Sequence, residues 1–240
     1  IGVTATNWSS GAGTEQRDVS CSLEVVEWPE ILGLPEPLRP VFEQWSSIFT
    51  AVDGGSLSQQ DRTKLDKHGN SSFTYGEVEF VSFSKILAAC DVQPGETFVD
   101  LGSGTGKALY IAAMGNYGFS RCVGIEFLPG LHTEAIALRD KVYAGDFGHV
   151  QMDATIDLVQ GDMAAEDWPA YADVLYASSI CFTEELMEKI GEMAQRLKPG
   201  ARFCTLKVWP GAEQFFDTIH SAWFKMSWGR ITVYVLRRKA

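Results

Sequence analysis

The chain has 240 residues, of which 45% are hydrophobic, and a formal net charge of −11. This length fits one large domain with a core, or a domain with a small appendage. The acidic balance argues against a nucleic-acid-binding surface spread over the whole domain, because phosphate contacts require a basic face, and no apolar run reaches the roughly 20 residues of a membrane-spanning helix.

The first third of the chain is predicted to be a flexible segment followed by a helical region. Residues 6–18 are rich in small and polar side chains, which is typical of a weakly held segment. Apolar residues recur at three- and four-residue spacing over 35–52 and predict an amphipathic helix, which the Asp-Gly-Gly at 53–55 is expected to end. Ser56 is a candidate N-cap for a second, polar helix that reaches about Lys67.

From residue 78 onward the predicted helices and strands alternate. The predicted helices cover residues 78–89, 107–114, 129–144 and 183–197, and the predicted strands cover 97–101, 121–125, 156–160, 173–177, 201–207, 215–224 and 231–237. Strands that alternate with helices predict βαβ units with a parallel sheet, and the last two strands predict an antiparallel hairpin at its edge. We therefore expect an N-terminal flexible and helical region at 1–70 and an α/β domain at 71–240.

A glycine-rich segment, FVDLGSGTGK at 98–107, lies at the first predicted strand-to-helix junction. Such a junction brings backbone N–H groups and a helix N-terminus close to a ligand. The GxGxG spacing differs from the GxxxxGK[ST] of the phosphate-binding loop and from the GxGxxG of the dinucleotide fingerprint. Asp100 stands directly before the glycines, where it would repel a pyrophosphate but attract the cationic methionine portion of S-adenosylmethionine.

Two further carboxylates follow later predicted strands. Glu126 ends the next strand, in a position to accept from both ribose hydroxyls, and Asp162 follows the third strand, where it can meet an adenine amino group. Alone, each would be read as a solvated strand end or a helix cap. Together with Asp100 they favour S-adenosylmethionine over a nicotinamide dinucleotide, and the pattern resembles the seven-stranded class I methyltransferase fold.

Motifs on both sides of the glycine loop carry a closer resemblance. TYGE at 74–77, and SWG at 227–229 followed by Val233-Tyr234, resemble the disruptor-of-telomeric-silencing-like, non-SET histone lysine methyltransferases. The resemblance covers roughly residues 70–238. It implies a Rossmann-like class I sheet with an antiparallel C-terminal hairpin, S-adenosylmethionine as cofactor, and methyl transfer to a lysine in the globular core of nucleosomal histone H3.

The resemblance also implies where the protein acts and what it contacts. A histone substrate implies a nuclear chromatin regulator with nucleosomes as partners. The basic DNA-contacting tail known from some members is absent from this sequence or lies outside it, so we expect direct DNA binding by these 240 residues to be weak or absent.

The cofactor contacts are assigned from the resemblance residue by residue. Tyr75 and Glu77 belong to a loop that closes over the methionine end of the cofactor. The other assigned contacts are Asp100, Gly102, Gly104, Lys107, Glu126, Asp162, Met163 and Ser178. Three positions depart from the family pattern, since Val78, Lys107 and Met163 stand where threonine, glutamine and an aromatic residue are common.

The acceptor channel is assigned in the same way. The family has two asparagines followed by Phe-x-Phe near the transferring methyl, and the matching segment here has Ser178 and Ser179 in place of both amides. Ser178 is expected to orient groups near the methyl. The expected channel walls are Tyr176, Phe182, Trp228 and Tyr234, with Thr205 and Val233 beside them and Trp209 as a further candidate. An apolar channel lowers the pKa of the acceptor amine, and the displacement then needs positioning more than a dedicated base.

Two other functions fit the same residues. A class I methyltransferase acting on another protein lysine or on a small molecule would share only the cofactor half of the site. A catalytically weak, methyltransferase-like binding module would keep the fold alone; the Ser178-Ser179 pair favours this hypothesis, whereas the intact glycine loop argues against it.

The cysteines and histidines give no sign of a metal site or a catalytic pair. The five cysteines are scattered, without a CxxC pair, and are expected to be reduced and mostly buried. His68, His132, His149 and His220 are isolated in sequence, and we expect no metal.

Overall fold

A computed structural model describes residues 34–67 and 69–240. The predicted flexible segment at 6–18, Cys21 and His68 lie outside these ranges. Among the described residues, no helix is both long enough and apolar enough to cross a bilayer.

The centre of the fold is one seven-stranded sheet. Its strands are β1 (Thr97–Leu101), β2 (Arg121–Glu126), β3 (Thr155–Gln160), β4 (Val174–Ala177), β5 (Arg202–Thr205), β6 (Phe216–Met226) and β7 (Gly229–Arg238). They follow the order β3-β2-β1-β4-β5-β7-β6. The first five strands are parallel, and β7 runs antiparallel to both of its neighbours. The predicted seven-stranded sheet with an antiparallel C-terminal hairpin is confirmed.

Six α-helices accompany the sheet in the described ranges. They are α1 (Arg39–Phe49), α2 (Gly54–Lys64), α3 (Phe80–Ala88), α4 (Lys107–Met114), α5 (Pro129–Ala144) and α6 (Glu184–Ala194). The Thr183 hydroxyl accepts a hydrogen bond from the Leu186 amide at 3.3 Å. Thr183 is therefore the N-cap of α6.

Two predictions about the N-terminal helices were wrong. Gly54 and Gly55 do not end α1, which stops at Phe49, but form the first turn of α2. The N-cap of α2 is Asp53, whose carboxylate accepts from the backbone N–H and the hydroxyl of Ser56 at 2.9 Å and 2.6 Å. An aspartate just before the helix satisfies free first-turn N–H groups, whereas Ser56 lies inside that turn.

The apolar core consists of one cluster on each face of the sheet. Phe98 and Tyr176 belong to the cluster that packs against α1, α3 and α4, while Leu101 and Phe203 belong to the cluster under α6. In parallel strands that are covered on both faces, the sequence is a nearly continuous run of apolar residues. Because both faces are covered, a site must form at the ends of the strands, and open α/β sheets bind ligands at the carboxyl ends.

Candidate functional site

A cavity of about 330 Å³ opens at the carboxyl ends of β1, β2 and β4. The TYGE segment, the glycine loop, Glu126, Asp162 and Ser178 all line it. Strand order reverses at β1, which lies between β2 and β4. Ligands of open α/β sheets bind at such a reversal, outside the carboxyl ends of the strands. We take this cavity as the candidate active site.

The glycine loop is held in a backbone shape that favours glycine. Gly102, Gly104 and Gly106 have φ values of 83°, 55° and 93°, which side chains with a Cβ rarely adopt. The Gly104 N–H donates to the Glu126 Oε2 at 2.8 Å, and the Gly102 N–H donates to the Ile125 carbonyl at 2.8 Å. The loop is therefore fixed against the end of β2.

Two buried carboxyl groups lie beneath this loop. Asp100 is 3% exposed and Glu126 is 7% exposed. Burial, with the nearby Glu126 charge, raises the pKa of Asp100 to about 8. Burial also raises the pKa of Glu126, against the lowering effect of hydrogen bonds from the N–H groups of Leu128 and Gly104. An anionic ligand is disfavoured here, whereas a bound cation would favour the ionised form of both carboxyl groups and be attracted to it.

Asp162, the third predicted acid, differs from the other two. It is exposed, and its Oδ1 accepts from the Ala164 N–H at 2.8 Å. Met163 lies beside it in the cavity wall, half-buried. This end of the cavity therefore offers an acceptor and an apolar side chain at the surface.

Tyr75 closes one side of the cavity. Its hydroxyl donates to the Glu77 Oε1 at 2.7 Å. Burial, then the Glu77 charge, raises the pKa of Tyr75, so its hydroxyl stays protonated as the donor. A Cβ added to Gly54 would lie 2.1 Å from the Tyr75 Oη, and one added to Gly104 would lie 3.0 Å from its Cε2. The ring thus fills the space between α2 and the glycine loop.

The TYGE segment and the SWG segment are in direct contact. The Glu77 N–H donates to the Ser227 hydroxyl, and the Ser227 N–H donates to the Glu77 carbonyl, both at 3.2 Å. A Cβ on Gly76 would lie 2.6 Å from the Trp228 Cε3. The two motifs on which the family resemblance depends, 150 residues apart, therefore form one structural unit.

The predicted acceptor residues are only partly brought together. Tyr176, Ser178 and Phe182 line the cavity. Trp228 is 39% exposed in the turn between β6 and β7, and Tyr234 is half-buried on β7; neither side chain lines the cavity.

Thr205, Val233 and Trp209 are buried and do not line the cavity. Trp209 packs against the rings of Phe203 and Phe216, with centroids 5.7 Å and 5.5 Å away. The structure thus places Trp209 in the core under α6.

The two serines have different environments. Ser179 is fully buried, and its hydroxyl accepts from the N–H groups of Leu206 and Lys207 at 3.1 Å and 2.9 Å. The Thr205 hydroxyl donates to the Lys207 carbonyl at 2.8 Å, so the Ser179 hydroxyl, 2.8 Å from Thr205 Oγ1, is the donor between them. Ser179 therefore joins the turns after β4 and β5, and Ser178 is the serine that faces the cavity.

The family model of Histone methylation protein DOT1 matches residues 58–220, which is more than half of the chain. The chain belongs to this family. Curated relatives carry the name histone-lysine N-methyltransferase, H3 lysine-79 specific. The relative from Eremothecium gossypii is 28% identical over 143 residues, covering 57% of this chain and 24% of its own. The relative from Candida albicans is 26% identical over 179 residues, covering 72% of this chain and 13% of its own. The chain thus spans a quarter or less of the length of these DOT1-family relatives.

Solved structures show the same fold. Magnesium protoporphyrin IX methyltransferase from Synechocystis, with bound S-adenosylmethionine, has a TM-score of 0.52 at 14% identity, covering 88% of this chain and 97% of its own. The tRNA methyltransferase TrmK from Bacillus subtilis has a TM-score of 0.50 at 13% identity, covering 65% of each chain. At such identities the likeness establishes the fold alone, and it confirms the predicted class I methyltransferase fold for this DOT1-family chain.

One residue of α2 that supports the site was missed by sequence analysis. Asp61 is 4% exposed, and its carboxylate accepts from the Gly130 N–H in the first turn of α5 at 2.6 Å. Its charge also contributes to the raised pKa of Glu126, after burial and the backbone hydrogen bonds. An aspartate within a polar helix gives no local signal of a partner 69 residues away.

The cysteines and histidines of the described ranges take no part in the cavity wall. Cys90, Cys122, Cys181 and Cys204 are free thiols. Burial, followed by the charge of Arg139, lowers the pKa of His132 on α5. No group of three histidine, cysteine, aspartate or glutamate side chains in the described part of the chain is arranged to hold a metal ion.

Proposed function

We propose that this DOT1-family chain is an S-adenosylmethionine-dependent histone lysine N-methyltransferase. The observation that carries the proposal is the pair of buried carboxyl groups, Asp100 and Glu126, under the glycine loop of a DOT1-family member. The substrate is a lysine in the globular core of nucleosomal histone H3, and the name of the curated relatives supports lysine 79.

The residues present fit S-adenosylmethionine, because two buried acids form the inner wall of the cavity. Asp100 would hold the ammonium of the methionine portion, Glu126 the ribose hydroxyls, and Asp162 with Met163 the adenine. Gly102, Gly104 and Lys107 would line the methionine end, under Tyr75 and Glu77. The cofactor supplies a methyl group activated by a positively charged sulfur.

On the acceptor side, the protein must desolvate and orient a lysine amine. Tyr176 and Phe182 line the cavity, and together with Trp228 and Tyr234 outside it they would form an aromatic wall that attracts the ammonium. The same wall would exclude water, and this desolvation lowers the pKa of the amine. Ser178 would hold the amine in line with the methyl group through its hydroxyl, with Thr205 supporting the wall from behind. Positioning and desolvation then carry the transfer.

The proposal includes the partners and the domain division. The protein would act in the nucleus on nucleosomes, with weak or no direct DNA binding, since its net charge is −11. Residues 71–240 would form the catalytic domain, with 1–70 as an N-terminal region whose helices α1 and α2 pack against α4 and α5 of that domain.

The first experiment measures transfer of labelled methyl from S-adenosylmethionine to three substrate sets: nucleosomes, free histone H3 and a metabolite panel. We expect label on nucleosomal H3 and none on nucleosomes whose H3 carries arginine at position 79. Label on a metabolite or another protein alone would favour the broader methyltransferase hypothesis. Cofactor binding in calorimetry without any transfer would favour the binding module.

Two variants then test the two halves of the site. Asp100→Ala should abolish binding of S-adenosylhomocysteine, because it removes a carboxylate from the cation site. Tyr234→Ala should leave this binding intact and reduce turnover. The reverse pattern would refute the assignment of the two residues.

A further inference from the structure

We propose that Lys107 is a positioning residue that fastens the cofactor lid to α1. The lid is defined here as the TYGE segment, residues 74–77. In this inference Lys107 acts on the cofactor through Glu77 and Tyr75, which keeps the lid closed before the cofactor arrives. The inference rests on the proposed cofactor and goes beyond it in assigning a role to the N-terminal helix.

On the lid side, Lys107 forms an ion pair with Glu77. The Lys107 Nζ lies 2.5 Å from the Glu77 Oε2, and the two side chains are 16% and 25% exposed. The other oxygen of the same carboxylate accepts from the Tyr75 hydroxyl at 2.7 Å. Both oxygens of Glu77 are therefore engaged, one by α4 and one by the lid. Charge-assisted hydrogen bonds of this kind are the stronger ones in proteins.

On the other side, Lys107 is held by α1. Its ammonium lies 5.9 Å from the ring centroid of Trp45 and 5.6 Å from that of Phe49. The Trp45 indole N–H donates to the Lys107 backbone carbonyl at 3.1 Å. Two aromatic faces within about 6 Å attract an ammonium, so α1 stabilises both the backbone and the charge of Lys107.

These contacts form a continuous chain from α1 to the cavity. Trp45 holds Lys107, Lys107 holds Glu77, and Glu77 holds Tyr75 against Gly104. A lysine that served mainly as a direct cofactor contact would not require a carboxylate partner or an aromatic support. Through these contacts, α1 instead holds the lid in its closed position.

The test is a double-mutant cycle with Lys107→Met and Glu77→Gln, both of which remove charge and keep much of the side-chain volume. Binding of S-adenosylhomocysteine to the full chain is measured by calorimetry. We expect each single variant to bind about tenfold more weakly, and the double variant to bind no more weakly than the worse single. Lys107→Arg should bind S-adenosylhomocysteine within about threefold of the unmodified protein, because arginine can keep the ion pair with Glu77.

A matched control and a second readout complete the test. Arg196→Met breaks a surface ion pair with Asp167, outside the cavity wall, and should leave binding unchanged. The unmodified protein, the two single variants and the double variant are also unfolded in urea without cofactor. The coupling between their free energies of unfolding measures the interaction of Lys107 with Glu77 in the free protein.

The outcomes separate this inference from the proposed cofactor. Additive losses in binding would show that Lys107 and Glu77 contact the cofactor independently and would overturn the inference. Coupling in urea without coupling in binding would overturn it as well, because the pair would then be structural only. If the unmodified protein does not bind S-adenosylhomocysteine, the proposed function fails and the inference fails with it, whereas additive losses in a protein that does bind overturn the inference alone.

Discussion

The substitution Gly54→Ala tests whether α2 sets the position of Tyr75. The added Cβ would lie 2.1 Å from the Tyr75 Oη, 2.4 Å from Cζ and 2.8 Å from Cε1, whereas ordinary contact begins at 3.4 Å. The ring must therefore move by more than 1 Å, which breaks the 2.7 Å hydrogen bond to Glu77.

The expected magnitude follows from three contributions. Overpacking costs about 1–3 kcal/mol, and losing a hydrogen bond to a charged group costs about 1.5–3 kcal/mol. The better helix propensity of alanine offsets about 1 kcal/mol of this. We expect the free energy of unfolding to fall by about 3 kcal/mol, within a range of about 1.5–5 kcal/mol, and S-adenosylhomocysteine to bind at least about tenfold more weakly.

Gly55→Ala is the matched control, one residue further along α2. Its Cβ would lie 3.5 Å from the Asp53 Oδ1, an ordinary contact. It should leave binding unchanged and stabilise the fold by up to about 1 kcal/mol. Urea unfolding and calorimetric titration of both variants measure the two quantities. If Gly54→Ala behaves like Gly55→Ala in both assays, Tyr75 is not held between α2 and the glycine loop.

Three further predictions concern the proton on Asp100, the start of α5 and the turns joined by Ser179. The folded pKa of Asp100 is about 8, against an ordinary value of 3.8. The fold therefore keeps a proton that the unfolded chain loses, and the free energy of unfolding should decrease as pH rises across this window. Asp100→Asn should remove this part of the slope in urea unfolding at pH 5, 6.5 and 8; an unchanged slope would contradict the raised pKa. Asp61→Ala should lower the free energy of unfolding by about 1–2 kcal/mol, because it removes the acceptor for the Gly130 N–H. The control Gln60→Ala, on the exposed side of α2, should lower it by less than about 0.5 kcal/mol. Equal losses in the two variants would show that the hydrogen bond from Gly130 to Asp61 adds no stability. Ser179→Ala should lower the free energy of unfolding in urea by about 3 kcal/mol, because one buried and one partly buried N–H group lose their acceptor. A stability equal to that of Ser178→Ala would refute the role assigned to the Ser179 hydroxyl.

The sheet was predictable because its signals are local. Apolar runs such as 97–101 and 121–125, each followed by turn residues or a helix pattern, predicted buried parallel strands, and β1 and β2 occupy these positions. The positive φ values of the glycine loop follow from its composition in the same way. The start of α2 was mispredicted because Gly-Gly is a typical helix end, and Asp53 outweighs that tendency by capping the following turn.

The parts of the site that sequence did not reveal depend on contacts between distant residues. Trp45 was expected in the apolar face of a helix, but its indole N–H reaches a carbonyl 62 residues away. Lys107 was assigned from the resemblance as a cofactor contact, and its partner Glu77 lies 30 residues earlier. Ser179 and Thr205 are both hydroxyl residues at strand ends, and only the sheet order brings them together. No periodic pattern encodes such pairs.

The contact between Gly76 and Trp228 has a consequence for dissecting the chain into fragments. A fragment trimmed to the family match, 58–220, would keep the glycine loop, Glu126 and Ser178. It would lose Gly54 and Trp45 at one end, and Ser227 and Trp228 at the other. The TYGE segment would then be uncovered from both sides, although every residue of it remained. We therefore expect the smallest fragment that keeps the TYGE segment covered to extend beyond residues 58–220 at both ends.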